Sequence, residues 1–257
     1  NQEIQAVLAV HTETSTGVTS RIGDIRRAID KVKHPALLMV DAVSSLACTE
    51  FLHDDWGVDV TVSASQKGLM LPPGLSFNAV SEQALARSRM NQSHHSYWQW
   101  EAMASNNAKG YFPYTPSTNL LYGLDEALNL LLAEGLDKVF ARHSRLAAAT
   151  RAAVNAWGLE NVCMNSEEYC NSTTAVFAPE GFDADDLRMI IRERFNMSLG
   201  TGLGKLKNRI FRIGHIGDFN DLMLMGTLSG VEMGLKIADF PHQPGGVDSA
   251  MDALSKS

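Results

Sequence analysis

The sequence is short of several things, and each shortage closes off a class of protein. Only three cysteines occur in 257 residues, Cys48, Cys163 and Cys170. They are scattered and lack CxxC spacing, which argues against a disulfide framework or a zinc site and suits a reducing, cytoplasmic setting. Basic charge is short too: 22 Lys and Arg against 29 Asp and Glu leave a net charge of −7. Without a basic stripe or an arginine-rich arm, nucleic acid is not an expected partner. No apolar run reaches the roughly 18 residues that cross a bilayer, so no membrane is expected either. His94-His95 has no carboxylate at metal-ligand spacing and reads as polar loop. Also missing are a start methionine, a signal peptide and a polar entry tail. Asn1-Gln2-Glu3 leads straight into residues 4–10, which read as a buried strand. A fold rarely opens on a core strand, so the chain is expected to be a fragment of a longer polypeptide.

What is present is ordinary globular material, 45% hydrophobic and 20% charged, enough for one large domain and a smaller one. Residues 21–33 place Ile22, Ile25, Ala28, Ile29 and Val32 at helical spacing, and His34-Pro35 ends that helix,. Strands are expected at 36–40, delivering Asp41, at 58–62 and at 74–80. This βαβ rhythm predicts a mostly parallel sheet covered by helices. Ligands of such sheets gather at the carboxyl ends of strands, where His11, Asp41 and Lys67 fall. Helices are expected at 81–90, 117–134 and 136–157. Between the first two lies a polar loop, 91–116, rich in rings: Tyr97, Trp98, Trp100, Tyr111, Phe112 and Tyr114,. Beyond residue 161, strands at 173–178, 197–200 and 209–213 with helices at 183–195 and 220–237 predict a small α+β domain. The tail, 241–257, is expected to pack loosely. Residues 1–134 thus read as part of a large domain, and 135–257 as a connecting helix and small domain.

The chemistry concentrates at Val62-Ser63-Ala64-Ser65-Gln66-Lys67-Gly68. A strand-end lysine together with the strand-end acid Asp41 suits pyridoxal phosphate. The amine can form a Schiff base with the cofactor, and the acid can keep its pyridine nitrogen protonated. Plainer readings stand beside this one. A lysine after a strand is ordinarily a solvated charge, and Asp41 could cap a helix. Thr14, Ser15 and Thr16 could form a simple turn, and Arg212 could be a surface charge on an edge strand. Gly200-Thr201-Gly202-Leu203-Gly204 looks superficially like a phosphate loop, but no helix with Lys-Ser or Lys-Thr follows. It reads as a flexible turn that brings Arg212 towards a ligand.

His11-Thr12-Glu13-Thr14-Ser15-Thr16-Gly17, Asp41-Ala42-Val43-Ser44-Ser45 and Ser65-Gln66-Lys67 resemble the core of class V pyridoxal-phosphate aminotransferases. Tyr111-Phe112-Pro113-Tyr114-Thr115-Pro116-Ser117 and Phe211-Arg212-Ile213-Gly214-His215-Ile216-Gly217 are similar to the serine–glyoxylate and alanine–glyoxylate members. The matches stand in family order along nearly the whole chain. The resemblance implies the fold type I architecture, like that of aspartate aminotransferase: an α/β large domain with a mostly parallel sheet, and a small C-terminal α+β domain. It implies that Lys67 carries the Schiff base and then moves the substrate's α-proton, which requires an amine that loses its proton readily. Asp41 would pair with the pyridine nitrogen and Val43 would pack on the ring. Thr14 would bind near the ring substituents, Gln66 towards the phosphate. Arg212 would grip the substrate carboxylate with its planar fork.

Thr115 would reach the phosphate of the other subunit in a homodimer with shared active sites. Phe112 stands where the alanine–glyoxylate enzymes have a tyrosine, and cannot donate that hydrogen bond. The family's N-terminal glycine loop and ring-stacking aromatic have no counterpart here. The implied reaction moves an amino group from a small amino acid to glyoxylate, giving glycine, with serine as the leading donor and alanine or aspartate as rivals. Two alternatives remain. One is a cysteine desulfurase-like lyase using Cys163 or Cys170, although neither has the loop signature. The other is a non-catalytic oligomerisation remnant.

Overall fold

The computed structural model describes residues 3–256 except Gln92 and His94, so the His94 part of the polar-loop reading lies outside the described residues. The first half runs β1 (Ala6–Val10), a small hairpin of β2 (Thr12–Glu13) and β3 (Val18–Thr19), α1 (Ile22–Lys31), β4 (Leu37–Asp41), β5 (Val60–Ala64) and β6 (Ser76–Val80). One sheet has the order β1-β4-β5-β6. Its first two pairings are parallel and the last is antiparallel. Leu38 and Val40 meet Ile22 and Ile29 of α1 on one face, while Leu37 and Val60 meet Ala84 on the other. Burial on both faces explains why β4 reads as an unbroken apolar run.

Two expectations about this half need correcting. The opening strand is not buried: Leu8 is 78% exposed and Val10 39%. β1 is the sheet edge, and the face that holds these two residues is covered only at Ala6, whereas Val7 and Ala9 point at the α1 cluster. On α1 itself, Ala28 and Val32 face solvent, because the helix stops at Lys31 and its core stripe is narrower than the spacing suggested.

α2 (Glu82–Met90) follows, its N-terminus capped by the Ser81 hydroxyl, which accepts from Ala84 N at 3.1 Å,. The ring-rich segment is not all loop. Trp100–Asn107 forms α3. The good helix formers Glu101, Ala102, Met103 and Ala104 sit among the rings, and Trp100 packs back against Leu37, Val60 and Ala84. α4 (Thr118–Glu134) and α5 (Leu136–Ala156) are separated by Gly135 alone.

The second half contains β7 (Thr173–Phe177), α6 (Ala184–Phe195), β8 (Gly200–Thr201), β9 (Ile210–Gly214), α7 (Asp221–Ile237) and α8 (Gly246–Ser255). Its three strands form an antiparallel sheet in the order β7-β9-β8. Helices α5, α6 and α7 bury Leu146, Trp157, Leu187, Ile191, Leu224 and Leu228 in one core with Phe211 of β9. Each such side chain contributes roughly 1.5–3 kcal/mol. α6 ends where expected, at Asn196 in the left-handed conformation, but β8 begins only at Gly200, where pairing with Arg212 of β9 starts.

The tail does not pack loosely. α8 seats Val247, Ala250 and Leu254 on the main core. Glu232 of α7 accepts from Trp157 Nε1 at 2.8 Å and from Val247 N at 3.0 Å, holding the first turn of α8 in place. The glycines and proline before α8 masked a short apolar stripe at helical spacing. No helix among the described residues is long and apolar enough to cross a membrane.

Candidate active site

Parallel register places Val10, Asp41 and Val62 side by side on β1, β4 and β5. The chain therefore leaves three neighbouring strands at one sheet edge. The turns there are tied to the ladder, with His11 N bonded to the Asp41 carbonyl at 2.9 Å and Ala42 N to the Val62 carbonyl at 2.8 Å.

After β5, Ser65 pins the Lys67 turn. Its hydroxyl donates to the Pro72 carbonyl (2.8 Å) and accepts from Leu75 N (3.1 Å), while the Lys67 carbonyl takes Met70 N at 2.9 Å. Lys67 itself is half-buried and neighbouring Gln66 is exposed. Asp41 is exposed, and its Oδ1 accepts from Val43 N at 2.8 Å. No helix follows Asp41 for it to cap; the bond closes a local turn that occupies one carboxylate oxygen and orients half-buried Val43 beside it,. The Thr14 hydroxyl is hydrogen-bonded to the hydroxyl of buried Ser44. His11 is a packing residue: its ring lies 5.2 Å from Phe51 and 5.6 Å from Trp56, centroid to centroid. Burial holds its pKa down at about 4.

Arg212 comes to this edge from the other sheet. It is half-buried on β9, donating from Nε to the Thr201 carbonyl (2.9 Å) and from Nη1 to the Thr14 carbonyl (3.0 Å). Gly200 is its register partner on β8, and a methyl there would stand 3.0 Å from Arg212 Cβ and 3.1 Å from Nε. The absent side chain leaves room for the guanidinium. The glycine-rich string is therefore not a flexible turn: it begins as a paired strand, and its Thr201 carbonyl fixes the arginine. Burial pushes the Arg212 pKa down and Arg188 adds repulsion, while Glu13 pulls the other way. Arg188 is itself held by Asp185 at 2.5 Å. Among the described residues no carboxylate is ion-paired with Arg212, so its charge is balanced chiefly by carbonyl dipoles. A small carboxylate is the natural complement of such a group.

The structure thus gathers Thr14, Asp41, Val43, Lys67 and Arg212 at one edge. Thr115 lies apart, exposed in the segment before α4, where the Tyr97 and Tyr114 rings pack 5.0 Å apart. Ser44 joins the candidate site through its bond to Thr14, and residue-type reasoning passed over it. Its signal was a hydroxyl just beyond the Asp41 turn, visible only once Thr14 is known to fold over it. The donor set fits pyridoxal phosphate: an acid for a ring nitrogen, a half-buried lysine, paired hydroxyls for ring substituents and an arginine for a carboxylate.

The thiols do not offer a competing nucleophile. Cys48, Cys163 and Cys170 are all buried. Burial pushes Cys48 up to about 12 and raises Cys163 as well, the reverse of what a reactive thiolate needs.

The aminotransferase class-V family model matches residues 1–206. The chain belongs to the class V aminotransferases. It is 46% identical to the serine–glyoxylate aminotransferase of Methylorubrum extorquens, a match covering 100% of this chain and 65% of that relative. It is 44% identical to the L-aspartate–glyoxylate aminotransferase of Paracoccus denitrificans, covering 97% of this chain and 63% of the relative. The chain therefore spans a little under two thirds of the curated relatives it matches. The solved ureidoglycine–glyoxylate aminotransferase of Bacillus subtilis superimposes with a TM-score of 0.90 at 27% identity, covering 98% of this chain and 65% of that one. A NifS-like protein at 15% identity and a TM-score of 0.69 shares the fold alone. The architecture is that of the pyridoxal-phosphate-dependent fold type I aminotransferases, a mixed sheet with parallel strands covered by helices.

Proposed function

We propose that the complete protein is a transaminase that passes an amino group from a small amino acid to glyoxylate, giving glycine. Serine is the leading donor, with aspartate and alanine as rivals. The observation that carries this reading is Arg212, a half-buried cation anchored by two backbone carbonyls at the sheet edge that bears Lys67 and Asp41. Both a small amino acid and glyoxylate offer the carboxylate it fits. Its likeness to relatives named for serine and aspartate donors supports the donor class.

Pyridoxal phosphate, when bound, supplies the electron sink for the departing α-proton. This chain's residues do the rest. Lys67 holds the cofactor and moves the proton with its amine. Asp41 keeps the ring nitrogen charged, Val43 supports one ring face, Thr14 binds the ring substituents and Gln66 the phosphate. Thr115, exposed here, serves the phosphate of a neighbouring subunit in a homodimer with shared sites. Residues 1–134 are read as part of the large domain and 135–257 as connecting helix and small domain, a division supported by their separate sheets. A cytoplasmic location is supported by the three unpaired cysteines,.

The test uses the full-length chain with pyridoxal phosphate. A visible absorption band and glycine formation from glyoxylate are expected, fastest with serine in a panel of donors. A protein that bound cofactor yet gave no glycine with any donor would overturn the reaction. One that showed no band would favour the non-catalytic alternative, and release of sulfur from cysteine would favour the lyase.

A further inference from the structure

The turn that carries Lys67 does not stand on its own strand alone. Beneath it lies a cluster of Ala47, Leu69, Leu131 and Val139 with Met70 packed against it, so α4 and α5 form its floor. Beside it runs the loop that follows β9. Gly217 there has φ 83°, a conformation that side chains resist. A methyl on it would stand 3.4 Å from Met70 Cγ and 3.9 Å from the Lys67 carbonyl oxygen.

Two consecutive residues of α5 grip that glycine. The fully buried His143 accepts from Gly217 N with Nε2 at 3.1 Å, and its Nδ1 meets the Val139 carbonyl at 2.8 Å. A backbone N–H can only donate and a carbonyl can only accept, so Nε2 carries the lone pair and Nδ1 the proton. Arg142 donates from Nη1 to the carbonyls of Gly217 (2.8 Å) and Phe219 (3.2 Å). Its Nε and Nη2 are held by the Glu134 carboxylate at 2.8 and 2.9 Å. Gly217 is thus held by its N–H on one residue and by its C=O on the next.

We propose that Arg142 and His143 are positioning residues for Lys67: by clamping Gly217 they press the 215–219 loop against the Lys67 turn and fix the direction of the amine. This rests on reading Lys67 as the cofactor-bearing residue. The clamp needs neutral His143. Burial lowers its pKa most, the Val139 carbonyl opposes this, and the charged groups facing it are Arg142, which lowers it further, and Glu134, which raises it.

Hydrogen exchange followed by mass spectrometry tests the clamp on the full-length chain without cofactor, and the pH dependence of the visible band tests it with cofactor bound. In His143→Leu, exchange at residues 67–71 and 215–219 should speed about tenfold or more while β7 and β9 keep their protection. The pH midpoint of the band should move. His143→Gln, whose side-chain carbonyl can accept the same N–H, should restore both. Arg142→Lys cannot span both carbonyls and Glu134, and should give the same local change even if His143→Leu fails to fold. Unchanged exchange at residues 67–71 in every folded variant, or exchange raised evenly through the molecule, would overturn the proposal. So would faster exchange with an unmoved band midpoint. Because the exchange measurement uses no cofactor, failure of the transaminase reading leaves it interpretable.

Discussion

At the scale of single residues, the proposed function divides the work between Lys67, assigned to the cofactor, and Arg212, assigned to the substrate. Lys67→Ala should abolish turnover and the visible band while non-covalent cofactor binding persists; borohydride trapping that labels a different lysine would reject the assignment. Arg212→Lys keeps the charge but loses the fork that reaches Thr201 and Thr14. It should lower kcat/KM about tenfold to a hundredfold, roughly 1.4–2.8 kcal/mol, for the donor and for glyoxylate alike. A loss confined to the donor would mean that Arg212 reads a side chain instead. Lys67 and Asp41 were legible in the sequence because each ends an apolar run, and the chain direction of a parallel sheet then brings them to one edge. Ser44 and His143 were not. Their roles depend on Thr14 and Gly217, which reach them across the fold, and no local pattern encodes such a meeting.

Among the elements, α8 shows how a polar side chain can seat a helix. Burial pushes the Glu232 carboxyl up, but bonds from Trp157, Val247 N and Gly245 N, with Lys236 nearby, leave its pKa net lowered. A carboxyl lowered in the folded state stabilises above its unfolded value, and that contribution is lost as pH falls through the folded value. Glu232→Gln should therefore cost about 1–3 kcal/mol near neutral pH, read from the denaturant midpoint, with the gap to wild type closing in acid. A gap independent of pH would remove the charge from the explanation. Elements with a clean period, such as α4, α5 and α7, were legible to within a residue or so. The misreadings at α3 and α8 share one cause. The rings around Trp100 look like loop, and the glycines before α8 look like a tail. In each, neighbours in space outweigh local composition.

For the whole molecule, acid should act through histidines held neutral by burial. Burial lowers His11 to about 4 and His215 to about 3, and it lowers His143 too. Each takes up a proton more readily in the unfolded chain. Stability is therefore complete above the ordinary value of 6.5 and drains as pH falls from there towards 4 for His11 and about 3 for His215,. Denaturant midpoints that stay flat between pH 6.5 and 4 would contradict this. The proposed shared site makes a second demand. Mixing Lys67→Ala with Thr115→Ala subunits should restore about a quarter of wild-type activity, because half the dimers are hybrids and each holds one intact site. No recovery despite proven subunit exchange, with Thr115→Ala itself severely impaired, would return Thr115 to its own subunit. The bond from Arg212 to Thr14 joins residues 198 positions apart. During synthesis at about 5–20 residues per second, Thr14 is joined to the chain some 10–40 s before its arginine is. Until then the hairpin of β2 and β3 lacks that tether, so on the proposed role of Arg212 a chain truncated before it would be born without its carboxylate grip.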